Sequence, residues 1–315
     1  MYNREIEGHS LWAWAAAAIS APAAQFLGST PWHWTLLLGL AAAGIWLCVE
    51  AGTVYGRRDW KPVAVLQILF LAFAVSAAAG WSGACWPTAR QSWTIPVVLL
   101  VLGACAAEQG CRTGARCGAV LFWCLVLLFA VLVAFAVPEV EWRNLRPENR
   151  GDGGTAAAVL LLPAAAALLP RKKGRSPWLW GLGLAIIGAG VSLLTAGVLS
   201  PAVATNIQGA FFEMIRGISI LGVAERFEAV VAAAMTLGWF CLLSLLLTAA
   251  GHLGETLHQG WGRPTVWLTA LLAATGQAWA REVSPWFSAL GALVFWCLLP
   301  LLGRRRAPVE KKNKI

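Results

Sequence analysis

The residues of this chain that could do chemistry are few, and nearly all stand inside or beside long apolar runs. Ser20, Gln67, Thr236, Ser244 and Gln277 are isolated polar side chains in such runs, and Glu50 and Glu108 are acids near run ends. A polar or ionisable group surrounded by hydrocarbon marks a ligand or ion path by default, because it must find a partner or bear a desolvation cost. Two prolines add a second source of polarity. Ile19-Ser20-Ala21-Pro22 lies in one run and Pro163 in another. Each proline removes a backbone donor and crowds the preceding turn, so helix breaks are expected there. Freed amides at a half-helix N-terminus attract a carboxylate, and freed carbonyls attract an ammonium group or a cation. The chemistry this predicts is non-covalent recognition of a small neutral or zwitterionic molecule. Ser20, Ala21 and Pro22 would face Pro163 and Ala164 across a small, largely apolar cavity. Ala21 is expected to border open space, so that a bulky residue there blocks the ligand and leaves the fold intact.

Covalent and metal chemistry find no support. His9, His33, His252 and His258 do not share a face with a carboxylate at metal-ligand spacing, and Cys111 and Cys117 have no histidine nearby. There is no phosphate loop following a strand and no nucleophile motif in a suitable setting. No enzyme, metal or cofactor is expected. The eight cysteines read as small apolar fillers. Glu50 and Glu108 fall within about one helical turn of their cytoplasmic ends, which favours snorkelling or pairing with Arg57, Arg58 or Arg112.

These residues must be positioned by ten apolar segments, 10–29, 33–54, 63–80, 94–110, 118–137, 155–169, 177–198, 227–250, 264–280 and 285–302. A membrane span needs about 20 apolar residues, and hydrocarbon cannot satisfy loose backbone, so the segments read as transmembrane helices. The basic residues alternate with them. Arg90, Arg143, Arg146, Arg150, Arg216, Arg226 and Arg281 occupy one set of gaps, and the remaining 17 of the 24 Lys and Arg occupy the other. Basic short loops stay cytoplasmic, which predicts both termini inside. The net charge of +9 is explained by those loops and by the tail 303–315, which could also touch anionic lipid; no nucleic-acid partner is implied. Many of the 19 tryptophans, among them Trp93, Trp142, Trp261 and Trp286, fall at span ends, where indole rings prefer the headgroup level. Residues 13–24 look like a signal-peptide core, but Arg4 is balanced by Glu5 and Glu7 and a second span follows closely. A retained first helix is the reading.

The proline-bearing spans are the first and the sixth. These are corresponding positions if one membrane domain, 1–315, consists of two five-helix repeats, about 10–137 and 155–302. Five is odd, so the repeats would be inverted, and broken helices at matching positions point to a midplane site. The longest outer gap, 199–226, is punctuated by Phe211, Phe212, Met214, Ile215, Ile218 and Ile220 and should form short helices over the outer mouth. Glu213 and Arg216 would be i,i+3 neighbours there. Glu228 opens the eighth helix, where an acid complements the dipole, and Arg226 would pair with Glu213 or Glu225.

The stretch Phe211 to Leu247 reads FFEMIRGISILGVAERFEAVVAAAMTLGWFCLLSLLL and resembles the spore-germination permease family, the polytopic B subunits of nutrient germinant receptors. The matching positions are Phe212, Glu213, Ile215, Arg216, Ile218, Ser219 and Ile220, then Glu225, Arg226, Glu228 and Ala229, with Gly238, Phe240 and Ser244 beyond. Asn144-Leu145-Arg146-Pro147 and Gly151 to Gly154 look like that family's approach to its sixth helix. Where the family usually carries Trp in the eighth helix, this chain has Met235. The resemblance implies the amino acid–polyamine–organocation fold, with a ligand between broken first and sixth helices and the third and eighth lining the other side. Gln67 and Thr236 would then be pocket residues. It implies a small germinant, usually an amino acid, sensed in the spore inner membrane beside an A subunit and a C lipoprotein. An amino-acid or ion-coupled permease of the same fold is the alternative.

Overall fold

The computed structural model describes residues 6–33, 35–37, 39, 40, 44, 61–83, 93–145, 153–170, 178–207, 209–217 and 227–299. Several expectations therefore lie outside the described residues: most of the second span with Glu50, the loop 171–175, Glu225 and Arg226, the tail 303–315, and the side chains of Arg216 and Glu228.

Among the described residues the chain is all-α. Its helices are α1 (Gly8–Phe26), α2 (Lys61–Ser82), α3 (Thr94–Glu108), α4 (Cys111–Ala136), α5 (Gly153–Leu161), α6 (Trp178–Leu199), α7 (Pro201–Asn206), α8 (Ala210–Gly217), α9 (Phe227–Leu257), α10 (Gly262–Glu282) and α11 (Pro285–Ala292). The 3-10 turns Leu27–Ser29 and Leu162–Leu168 extend α1 and α5, and the π-helical turn Leu293–Leu298 extends α11. The stretches Lys61–Ser82, Cys111–Glu139 and Ala229–Leu257 are long and apolar enough to cross a membrane, and shorter apolar helices accompany them. This is the composition of an integral membrane protein.

The order of the bundle follows from what each helix can expose. α1 is built from alanine and tryptophan, and Leu11 to Ile19 is buried without interruption. Small side chains let neighbours approach from every side, which is what a central helix without lipid contact requires. α4 is the opposite case: only 11% of its span is buried, and Val120, Trp123 and Leu127 are more than 60% exposed. Exposed large apolar residues also run along α2, α3, α10 and α11, for instance Leu69, Val98, Leu271 and Leu290. A continuous apolar surface of that extent would precipitate a soluble protein and is the expected lipid-facing belt here.

α9 is the hub. It packs against α1, α2, α3 and α10 and against the 3-10 turn that follows α5. α1 lies between α9 and α4, α2 packs on α10, and α5 packs on α11. Buried polar side chains tie these helices together. Gln67 on α2 donates through Nε2 to the Phe295 carbonyl in the π turn at 3.0 Å. Ser76 Oγ donates to the Ala273 carbonyl of α10 at 3.2 Å. Gln25 Nε2 donates to the Trp81 carbonyl at 3.2 Å, joining the ends of α1 and α2. Replacing Gln67 with leucine removes one such tie, worth about 0.6 kcal/mol on average and up to about 1.7 in membrane helices. A drop in thermal midpoint of that order in detergent, without loss of folded protein, is the expected result.

Contacts between helix ends show which ends lie together. The Ile6 amide donates to the Pro170 carbonyl, so the start of α1 lies beside the end of the 3-10 turn after α5. Trp267 Nε1 donates to Glu108 at 2.7 Å, which brings the end of α3 to the first turns of α10. At the opposite face, the Glu141 amide and the Asn144 side chain both donate to the Gly197 carbonyl near the end of α6. Glu108, expected to snorkel or to pair with Arg57, Arg58 or Arg112, accepts an indole N–H; Arg57 and Arg58 lie outside the described residues. Trp267→Phe should therefore weaken the protein only modestly, and Glu108→Gln, which still accepts that bond, even less. Thermal unfolding of both variants checks this order.

Candidate functional site

The first expected break is not there. α1 runs as continuous α-helix through Ser20, Ala21 and Pro22 to Phe26. A proline inside a transmembrane helix forfeits one backbone bond, but tight helix neighbours keep the helix going. Ser20 does not open the turn either, since its Oγ donates back to the Ala17 carbonyl at 2.6 Å. The irregularity sits one turn later, at Leu27–Ser29. There Ser29 and Thr30 hydroxyls donate to the Phe26 carbonyl, and Ser192 Oγ donates to that of Leu27 at 2.5 Å. The carbonyls freed at this helix end are thus taken up by the chain itself.

The other expected break is present. α5 gives way at Leu162 to seven residues of 3-10 helix, with Pro163 as the second of them. A run of that length is uncommon, and proline fits its start because the donor it lacks has no partner there. Pro163 and Ala164 are buried, and Ala164 to Ala167 are packed to 1% exposure or less. They face α9, α1 and α11, so the space between the first and sixth segments is filled by alanine methyls.

The remaining predicted pocket residues are distributed as follows. Gln67 is the α2–π-turn tie described above. Thr236 is half-buried and back-bonds to the Ala232 carbonyl at 2.8 Å, and Ser244 back-bonds to that of Cys241. Gln277 Nε2 likewise donates to the Ala274 carbonyl of its own helix. Glu213 falls on α8 with Arg216 one turn on, as the spacing required, and Glu228 is the second residue of α9. α8 packs on α1, α6 and α9, so this short helix lies against the bundle.

A cavity of about 300 Å³ lies on the other side of α1, away from the 3-10 turn. Its floor is α1 from Ala16 to Ala24, its walls are α4, α6 and the first turns of α9, and Phe211 of α8 closes one end. Ser20 and Ala21 of the predicted set line it, as does Met235, the position where the chain departs from the resembling family. The lining is apolar; its one hydroxyl, on Ser20, is already engaged. Sequence reasoning missed the contribution of α4, whose Phe129 and Ala130 look like any lipid-facing residues in the sequence.

A second feature it missed locks α1 to α4. The indole of Trp14, 1% exposed, lies flat over Gly114 and Gly118. The signal was there as Gly114-Ala115-Arg116-Cys117-Gly118, a small-xxx-small spacing that lets a helix surface accept a close partner.

Helices and site together define an all-α integral membrane protein with a buried central helix and an apolar lateral cavity. Compared with known proteins, the chain matches no protein-family model and no curated sequence.

Proposed function

We propose that this chain is the polytopic membrane subunit of a germinant receptor, acting with an A-type subunit and a lipoprotein to report a small nutrient, an amino acid in the resembling family. The observation that carries the reading is the segment from Phe212 to Ala229, whose residue pattern resembles that family over the outer helix and the opening of α9. The packing of α8 on α1, α6 and α9 supports it, because an outer segment seated on the core can pass a partner's movement into the bundle.

Ten spans in two inverted repeats are part of the proposal. Shifting each span by five relates the α1–α4 contact to α5–α11, the α2–α10 contact to α3–α9, and the α4–α9 contact to that of α11 and its π turn with α2. The contacts α2–α9, α3–α10 and α1–α5 map onto themselves. A two-repeat chain makes contacts in such pairs, although the α1–α9 contact has no counterpart of like extent between α2 and α5. Both termini then face the cytoplasm or spore core, and the membrane is the spore inner membrane.

The alanine-filled interface between the first and sixth segments favours sensing over transport, since a permease needs a polar route there. Recognition of the nutrient then falls to the assembled receptor rather than to an open pocket in this chain. The test is extraction of the tagged full chain from its native membrane, together with uptake assays on the purified chain in vesicles. Co-purification of a membrane-anchored partner and a lipoprotein, with no amino-acid uptake, is expected. Recovery of the chain alone, or uptake by it alone, contradicts the proposal.

A further inference from the structure

We infer that the lateral cavity is a binding site for a membrane lipid, taking one acyl chain from the surrounding bilayer between α4 and α6. The first reason is its chemistry. A zwitterion placed there would leave two charges facing methyl groups and phenyl rings; Ser20 has already given its proton to the Ala17 carbonyl, so no side-chain donor is left for a carboxylate. An acyl chain asks for nothing the walls lack.

The second reason is where the cavity opens. α4 and α6 touch only sparsely, and the gap between them is floored by α1 and α9. Ala130 and Ile187 are lining residues that are also exposed, so they form the two lips. Beside them stand Trp123, Leu127 and Ile186, exposed members of the lipid-facing belt. The cavity is thus continuous with the surface that lipid already covers.

The third reason is shape. The floor from Ala16 to Ala24 extends about 12 Å along α1 at the helical rise of 1.5 Å per residue. It runs along a helix that crosses the bundle, which is the direction in which acyl chains lie in a bilayer. The volume of about 300 Å³ is at the lower end for small-molecule pockets and suits a single chain rather than a headgroup.

The inference does not depend on the receptor reading. To test it, the full chain is reconstituted in phosphatidylcholine–phosphatidylglycerol vesicles doped with a phospholipid carrying a photoreactive diazirine within one acyl chain. After irradiation, adducts are mapped by mass spectrometry. Bulk lipid reaches α2 and α10 at Leu69 and Leu271, whereas Ser20 of α1, half-buried among buried neighbours, lines the cavity. Adducts on the Ala16–Ala24 stretch of α1, or on Met235, are expected beside the belt adducts. Ala130→Trp should close one lip and reduce the α1 and Met235 adducts to background while belt adducts persist. Ile187→Trp should do the same from the other lip. Absence of α1 and Met235 adducts in the unaltered chain overturns the inference. So does their persistence in both variants, or their displacement by free leucine added in the aqueous phase.

Discussion

Gly118→Leu should abolish recovery of folded protein, and Gly118→Ala should lower its stability by about 1–3 kcal/mol, the usual range for overpacking. A Cβ at Gly118 would lie 2.4 Å from Cδ1 and 2.5 Å from Cγ of Trp14. Those are atoms at the root of a buried indole, which cannot swing away as a flexible side-chain tip could. Gly114→Ala meets the far edge of the same ring at 2.6 Å and should behave similarly. Two comparisons separate this contact from a general effect of losing glycine. Gly183 in α6 has nothing within 4 Å of its would-be Cβ, so Gly183→Ala should be neutral or slightly stabilising through helix propensity. Trp14→Ala is destabilising by itself, but it should remove most of the additional cost of Gly118→Ala. Thermal unfolding in detergent, followed by size-exclusion chromatography, reads every one of these variants. Equal midpoints for Gly118→Ala and Gly183→Ala would mean that Trp14 does not hold α1 on α4.

Gly238→Leu is expected to be as damaging, at the contact of α1 with α9. Its Cβ would meet the Ala21 Cβ at 2.7 Å, Ser20 Oγ at 2.8 Å and the Ala21 backbone nitrogen at 3.0 Å. A backbone atom cannot rotate aside, so α1 and α9 would have to separate along their shared length. Gly238→Ala should cost about 1–3 kcal/mol for the same reason. The contact also corrects the expectation for Ala21. Ala21 is 1% exposed and borders Gly238 as well as the cavity. Ala21→Leu should therefore lower the amount of folded protein rather than block a ligand in an intact fold. A full yield of Ala21→Leu with an unchanged thermal midpoint would show that the α1–α9 approach is looser than described.

Much of the architecture was legible because hydrocarbon imposes one requirement at a time. Length and apolar content located α1, α2, α3, α6 and α10 to within a few residues of their observed ends. They failed at the start of α4, which begins at Cys111 because a helix carrying Arg112 and Arg116 can continue into the headgroups. They failed also at the end of α9, which runs on to Leu257 through His252 and Glu255. Glu255 there caps the next helix by accepting the Gly262 amide. The short helices of the outer gap were expected from its apolar punctuation, and α7 and α8 are there.

The site was less legible, for a physical reason. A proline reports a lost donor but not whether neighbours hold the helix together, so Pro22 and Pro163 look alike in sequence and differ in structure. An isolated serine, threonine or glutamine reports the need for a partner but not which one. Ser20, Thr236 and Ser244 satisfy it within their own helices, and Gln67 reaches a carbonyl on another. A cavity walled by Phe129, Ile187 and Met235 carries no polar mark, and only the meeting of five helices creates it.

The ten-span topology proposed for this chain rests on the alternation of helix ends, and single-cysteine accessibility in intact cells tests it most directly. In a cysteine-free background, one cysteine is placed at Gly174, Gln259, Glu141 or Asn206, and a membrane-impermeant maleimide is applied before and after permeabilisation. With ten spans and internal termini, Glu141→Cys and Asn206→Cys label in intact cells, and Gly174→Cys and Gln259→Cys label only after permeabilisation. Labelling of Gly174→Cys or Gln259→Cys in intact cells, or protection of Glu141→Cys or Asn206→Cys, would contradict the ten-span, two-repeat account.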